Sequence, residues 1–473
     1  LAQVRKLPLE ALRRPLTPPT RARLEQTLRR LLEWQRTLAR WPAPSSAAAA
    51  PRATPIVSVY ADGVRCGCAG SFEGAPRERL VRAFLYAQSD LRFGGIDARA
   101  RARAVAELAY PLGLTRLPLA EAEELIAAGA HGLALGFAAG PPAILLPSVA
   151  REHELDAAGL LSALEHKANL ARDQWPDALF AFETETLVVR LDSRREGARV
   201  GPLEAAVRWL AARVGRDGCV TFGLEPRRGA EDRTGQFWHG RAAVVAQALA
   251  LHPAGHAAAS RVRRWLEREI LAALVDKRRT AFPEETPFVA GTLALAKLAG
   301  VACDEPLRAL SRSPALASMP WHAAQVVCAL GREAPDGLYR ACVNALDDDA
   351  LAPWTVMAAR ARGDHATFER AARLLARRVA SRGPHVGGVG TSSLPEVALT
   401  AAVVEALTGV RDREAAAARL RALRFVGRQQ HLPHVPPDVP DPALAFGAFP
   451  LTPVHGYLRA DVTAHAALAL AAR

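Results

Sequence analysis

Apolar residues recur at helical spacing between residues 16 and 40, where Leu24, Leu28, Leu31, Leu32 and Leu38 share one face. This predicts one amphipathic helix. The Pro- and Ala-rich residues 41–51 read as a loop or linker. The run Ile56-Val57-Ser58-Val59-Tyr60 alternates as a strand does, and Asp62-Gly63 after it is a hairpin-type dipeptide. Residues 77–89 read as a helix and 99–109 as another. A β-hairpin is expected over 132–146 around Gly140-Pro141-Pro142, a helix over 157–168, and an alternating strand over 180–191. The charged run Asp192-Ser193-Arg194-Arg195-Glu196-Gly197 marks a domain boundary.

Beyond residue 200 the pattern changes. Helices are expected at 203–214, 240–251, 257–275, 287–299, 321–330, 338–346, 350–361, 366–380, 395–407, 415–423 and 460–472. Many are Ala-rich and apolar on more than one face, as helices buried between layers are. Their loose recurrence in pairs predicts an array of helical hairpins, open or closed into a ring. The fold class that follows is an α+β domain over residues 1–192 and an all-α domain over 200–473.

Composition narrows the function classes. No apolar run is long and charge-free enough to span a bilayer. The opening Leu1-Ala2-Gln3-Val4-Arg5-Lys6 lacks both the apolar core of a secretory signal and an initiator Met, which fits a trimmed chain or an alternative start. The six cysteines have no disulfide-scaffold spacing, so a reducing cytoplasm is expected. The formal charge of +13 is carried almost wholly by Arg; Lys6, Lys167, Lys277 and Lys297 are the four lysines. These cations are scattered through helical stretches rather than grouped with aromatics. They read as solvated faces, with no nucleic-acid or membrane partner expected.

The densest chemistry lies at Gly63-Val64-Arg65-Cys66-Gly67-Cys68-Ala69-Gly70-Ser71. Glycines around a thiol let backbone and ligand approach it closely. A catalytic thiol needs a nearby cation, a helix N-terminus or a histidine base, and Arg65 and His131 are the candidates beside Cys68. The plainer alternative is a buried small hydrophobe. Cys66 and Cys68 are spaced as a strained redox pair or half a metal site, but no second ligand pair has zinc-site spacing, and no metal ligand is assigned.

This segment resembles the Leu-Arg-Gly-Cys-Ile-Gly-Ser signature of the AMMECR family, with Gly67, Cys68, Gly70 and Ser71 on its Gly, Cys, Gly and Ser. Three further passages follow in order. Ser89-Asp90-Leu91-Arg92-Phe93 is similar to the family's Asp-Pro-Arg-Phe segment, His131-Gly132-Leu133 to its "HGL" strand, and Leu145-Leu146-Pro147-Ser148-Val149-Ala150 to its "LLPQVA" stretch. Lys167-Ala168-Asn169-Leu170 and Trp175 then follow its "KAGL…W" helix. The likeness covers roughly residues 15–190. Cys66 stands where the family has Arg, Arg65 where it has Leu, Ala69 where it has Ile and Asn169 where it has Gly. Adjacent strand residues face opposite ways, so Arg65 is not expected to replace a guanidinium at position 66. The resemblance implies an undefined biochemical activity, and Memo-like or radical-SAM proteins as pathway partners. No cofactor is assigned.

Two passages in the helical region are similar to bacterial α/α-toroid proteins, which include carbohydrate-active enzymes. They are Asp217-Gly218-Cys219-Val220-Thr221-Phe222 with Trp238-His239-Gly240-Arg241, and Gly447-Ala448-Phe449 with Tyr457-Leu458-Arg459-Ala460-Asp461-Val462-Thr463-Ala464-His465. Asp461 and His465, four apart, share a helix face and are candidate catalytic residues, with His239, Arg241 and Arg459 as ligand-binding companions. The plainer reading is a helix cap or an ion-pair clasp. His431 and His434 are too Pro-flanked to promise chelation geometry. Two function classes remain: an enzyme component with a thiol or toroid-pit site for a small, carbohydrate-like molecule, and a noncatalytic binding or scaffold protein.

Overall fold

The computed structural model describes residues 18–37, 55–71, 76–93, 104–135, 143–175, 179–190, 200–226, 230–232, 239–275, 286–348, 350–381, 385–390, 394–431, 435–439 and 441–472. The chain divides into two compact units. One is Leu1–Arg199 with Pro226–Arg228 and Pro433–Ala443; the other is Val200–Glu225, Gly229–Leu432 and Leu444–Arg473.

The first unit is α+β. Its helices are α1 (Pro18–Thr37), α2 (Pro76–Gln88), α3 (Ala122–Leu125), α4 (Pro147–His153) and α5 (Ala157–Ala168). Its strands are β1 (Ile56–Ala61), β2 (Val64–Gly70), β3 (Val105–Leu117), β4 (Gly132–Leu135), β5 (Ala143–Leu145) and β6 (Leu179–Arg190). They form one antiparallel sheet in the order β2-β1-β3-β6-β4-β5. The β1–β2 turn has positive φ at both Asp62 (51°) and Gly63 (79°), as a two-residue I′ hairpin requires.

The sheet separates two cores. On one face Leu24, Leu28, Leu31 and Leu32 of α1, and Leu80 and Phe84 of α2, cover Val57, Val59, Leu108, Leu187 and Val189. On the other, Ile56, Ala109, Ala134, Leu146 and Phe182 form a smaller cluster. The helix expected at 99–109 is overturned. Residues 99–103 lie outside the described residues, and Val105–Ala109 belong to β3, hydrogen-bonded between β1 and β6. Ala, Arg and Glu favour a helix locally, but a strand buried on both faces overrides that weak preference. The linker at 41–51 and the boundary run at 192–197 also lie outside the described residues.

The second unit is built from α6 (Pro202–Ala211), α7 (His239–Leu249), α8 (His256–Val275), α9 (Thr286–Leu298), α10 (Asp304–Ser311), α11 (Pro314–Ala317), α12 (Pro320–Leu330), α13 (Asp336–Asn344), α14 (Ala352–Arg362), α15 (His365–Arg378), α16 (Val397–Ala406), α17 (Arg413–Gln429) and α18 (Ala460–Ala471). Helix α7 packs on α9, α9 on α12, α12 on α14, α14 on α16 and α16 on α18, and α18 packs back on α7. A second series lies against these: α8 on α7, α10 on α9, α13 on α12, α15 on α14, α17 on α16 and α6 on α18. Helices α10 and α11 are short and escaped the periodicity. So did the sheet β8-β7-β9, made of β7 (Gly223–Glu225), β8 (Ala230–Asp232) and β9 (Leu458–Arg459).

Candidate functional sites

The Cys68 site begins with a bulge. Along β1 and β2, Ser58 faces Cys68, Val59 faces Gly67 and Tyr60 faces Arg65, so Cys66 is the extra residue in the ladder. Ser58 and Tyr60 point to the same side of β1, and the bulge turns their partners Cys68 and Arg65 to that side too. The expectation that Arg65 faces away is therefore corrected: the inserted residue changes the alternation on which it rested. Cys66 packs against the α1–α2 core and Cys68 against the opposite cluster, so the two do not form a Cys-x-Cys pair on one face.

Arg65 is held firmly. Its guanidinium donates to Ser148 Oγ (2.7 Å), to Glu152 Oε1 (2.5 Å) and to the Tyr60 hydroxyl (2.8 Å). Tyr60 Oη lies 2.7 Å from Glu152 Oε1 and 3.0 Å from Glu107 Oε2. Burial raises the Glu107 pKa, against the pull of Arg65. The phenol has one hydrogen for two carboxyl groups. A protonated Glu107 resolves this, leaving the phenol to donate to Glu152.

Around Cys68, the backbone N–H donates to Asp90 Oδ2 (3.2 Å) and the carbonyl accepts from Arg92 (2.9 Å). Ser58 Oγ lies 3.4 Å from the sulfur. Arg92 grips Asp90 through two nitrogens (2.8 and 2.7 Å) and holds that carboxyl below its usual range. Lys167, near the end of α5, donates to the Ile144 carbonyl (2.5 Å). Desolvation lowers its pKa, Arg92 and Arg65 add to this, and Cys68 and Asp90 oppose it. Arg65, Arg92 and Lys167 thus all stand in electrostatic reach of Cys68.

His131 takes another role. Its Nδ1 accepts from Ala127 N–H (3.1 Å), burial lowers its pKa, and the charge facing it is Glu183. It acts as a loop staple before β4. Sequence reasoning gave no role to Ser58, Tyr60, Glu107, Ser148 or Glu152, or to Lys167, Asp90 and Arg92. The last three stood inside quoted motifs, and Ser148 and Glu152 are four apart on one helix face.

In the second unit, Arg459 clasps Asp461 through Nε (3.0 Å) and a terminal nitrogen (2.6 Å), and Arg241 Nε lies 3.5 Å from the same carboxylate. Both guanidiniums lie over the Phe222 ring, at 4.5 Å for Arg241 and 5.1 Å for Arg459. The β7–β9 pairing places Gly223 opposite Arg459 and so brings Phe222 to the start of α18. His465 Nδ1 faces Glu405 Oε1 at 3.5 Å and lies edge-on to Trp354. His239 is turned elsewhere: it stacks on Trp265 of α8, with Nε2 4.0 Å from Glu269. Arg241, Arg459 and Asp461 therefore meet, His465 stands one turn along, and His239 faces α8. His434 lies outside the described residues.

Among the described residues no group of three or more His, Cys, Asp or Glu could hold a metal ion, and no helix is long and apolar enough to cross a membrane. No curated protein matches the chain. Among solved structures, an uncharacterised protein from Pyrococcus horikoshii is 21% identical, covering 98% of that chain and 37% of this one with a TM-score of 0.32. The AMMECR1 family model matches residues 25–187, a span that takes in the bulge, Cys68 and all three cations around it. Within the first unit, residues 25–187 are therefore similar to the AMMECR1 family.

Proposed function

We propose that this AMMECR1-like region is a thiol site for a small anionic molecule, with Cys68 as the reacting group. The observation that carries this is the convergence of Arg65, Arg92 and Lys167, from β2, the segment after α2, and α5, on one half-buried sulfur. Positive charge around a thiol attracts anions. Three other thiols are governed mainly by burial. Burial pushes Cys303 up to about 11 and Cys328 and Cys342 up to about 12.

Native-state modification with iodoacetamide, read by peptide mass spectrometry, tests the proposal. Cys68 should react before Cys303, Cys328 and Cys342. A Cys68 that stays unmodified until the chain is denatured ends the thiol reading. That outcome leaves a noncatalytic domain that binds or presents a ligand to a Memo-like or radical-SAM partner. One observation favours this second reading: His131, the base the sequence suggested, is engaged with Ala127 instead of the thiol.

In the helical unit, we read the closed succession of α7, α9, α12, α14, α16 and α18 as an α/α toroid, and the Arg241–Arg459–Asp461 group as its ligand end. Support comes from neighbouring rings on α12, α14 and α18: Trp321 to Trp354 (5.9 Å) and Trp354 to His465 (6.5 Å). Of these, the exposed Trp321 offers a flat ring suited to a carbohydrate-like ligand. Calorimetric titration with oligosaccharides that gives no heat would remove this reading.

A further inference from the structure

Resting on the toroid reading of the helical unit, we infer that its ligand is an acidic saccharide whose carboxylate is held by Arg459 and Arg241. Contacts gather the starts of α7, α9, α12, α14 and α18 at one end of the unit. Arg241 of α7 meets Asp461 of α18 at 3.5 Å, and the Phe288 ring of α9 lies 4.7 Å from His322 of α12. Trp321 of α12 lies against Trp354 of α14. Each of these residues belongs to the first turn of its helix. Trp354 in turn reaches His465, one turn further along α18.

Two guanidiniums share one carboxylate there. Arg459 occupies both Asp461 oxygens through Nε and one terminal nitrogen; its other terminal nitrogen has no hydrogen-bond acceptor among the described residues. The Arg459 side chain is 23% exposed and that of Arg241 30%, against 11% for Asp461, so both sets of donors reach solvent. Burial lowers the Arg241 pKa to about 10; Asp461 pulls it back up and Arg459 pushes it further down. The first turns of α7, α9, α12 and α14 hold no acid, and Asp461 is the acid of α18. In the second series, α6, α10, α13 and α17 do begin with acids. Glu284 and Glu285, ahead of α9, lie outside the described residues. A helix start carries positive partial charge that an acid ordinarily offsets, so this end favours an added anion.

Rings accompany these donors. Both guanidiniums lie over Phe222, and Trp321 and Phe288, 41% and 58% exposed, stand at the same end. Forked guanidinium donors match a planar carboxylate, and exposed rings offer flat apolar faces. A neutral sugar would use the rings and leave the cations unanswered. A small anion would answer the cations and leave the rings idle. An acidic sugar uses both.

The test is calorimetric titration of the full chain with trigalacturonate and with its methyl ester, which keeps the sugar and removes the charge. The acid should bind about tenfold more tightly than the ester, the worth of one charge-assisted hydrogen bond. Raising NaCl should weaken binding of the acid and leave that of the ester unchanged. Arg459→Gln should bring the two affinities together. Because Arg459 also clasps Asp461, the salt titration of the parent chain decides the matter if that variant does not fold. Equal affinities for acid and ester in the parent, or an acid affinity indifferent to salt, overturns the acidic class and leaves the toroid reading in place. No heat from the acid, the ester or neutral maltotriose removes the toroid reading, and this inference with it.

Discussion

Tyr60 shows at the residue scale how the site is built from polar groups that pair with one another away from water. Its hydroxyl serves Arg65, Glu152 and Glu107 at once, and both Tyr60 and Glu107 are buried. Removing that one oxygen in Tyr60→Phe leaves three desolvated groups short of a partner, at a cost of ~1–3 kcal/mol. Glu107→Gln keeps a neutral group at the buried carboxyl and should cost less. Urea denaturation of both variants checks the order; equal losses would contradict a neutral Glu107. Asn169 illustrates a departure that geometry explains. It sits at φ 53° at the end of α5, the left-handed position where Gly is usual and Asn is the best-tolerated substitute. Residue identities pointed to Cys68 from the sequence, but not to Tyr60, Glu107 or Glu152. Those lie 8, 39 and 84 positions away from Cys68, and only the sheet and α4 bring them near.

The deciding element is β2. A regular strand would send Arg65 to the α1–α2 core; the bulge at Cys66 sends it to the Cys68 face. The strand's other requirement is Gly67, where a Cβ would overlap the Ala87 carbonyl of α2. Gly67→Ala must move that helix or the strand and should destabilise the first unit on the order of 3 kcal/mol, seen as a lower urea midpoint. A midpoint like the parent's would mean α2 gives way freely. Elements with strong periodicity were legible: α1, β1, α2, α5 and β6 lie where the pattern put them. Strand β3 was not, because Ala106, Glu107, Leu108 and Ala109 at its start carry helix propensity, and pairing on both sides is invisible in one segment. Bulges are equally silent, since they exist only in the register between two strands.

At the scale of the whole molecule, the second unit closes its order of helices through α18, which packs on α16, α6 and α7. The His465–Glu405 pair links α18 to α16. Burial alone would lower the His465 pKa, but the Glu405 hydrogen bond and charge outweigh it and the net direction is upward. A raised folded-state pKa means this pair stabilises fully below the unfolded value of about 6.5 and is lost as pH rises through the folded one. The helical unit should therefore melt lower at about pH 9 than at about pH 6, and Glu405→Gln should flatten that difference. A parent curve that does not fall over that range would contradict the pairing. The succession of helices was legible because each is long and apolar; their closure was not, since it depends on the last helix meeting the first at a separation of more than two hundred residues.

The central claim is that cations converge on a reactive Cys68. Comparing the rates of Cys68 modification by iodoacetate and iodoacetamide, in the parent and in Arg92→Ala, tests it most directly. The account predicts that the negative reagent is favoured in the parent and loses that advantage when Arg92 is removed. An advantage for the neutral reagent in the parent, or a ratio indifferent to Arg92, would contradict it.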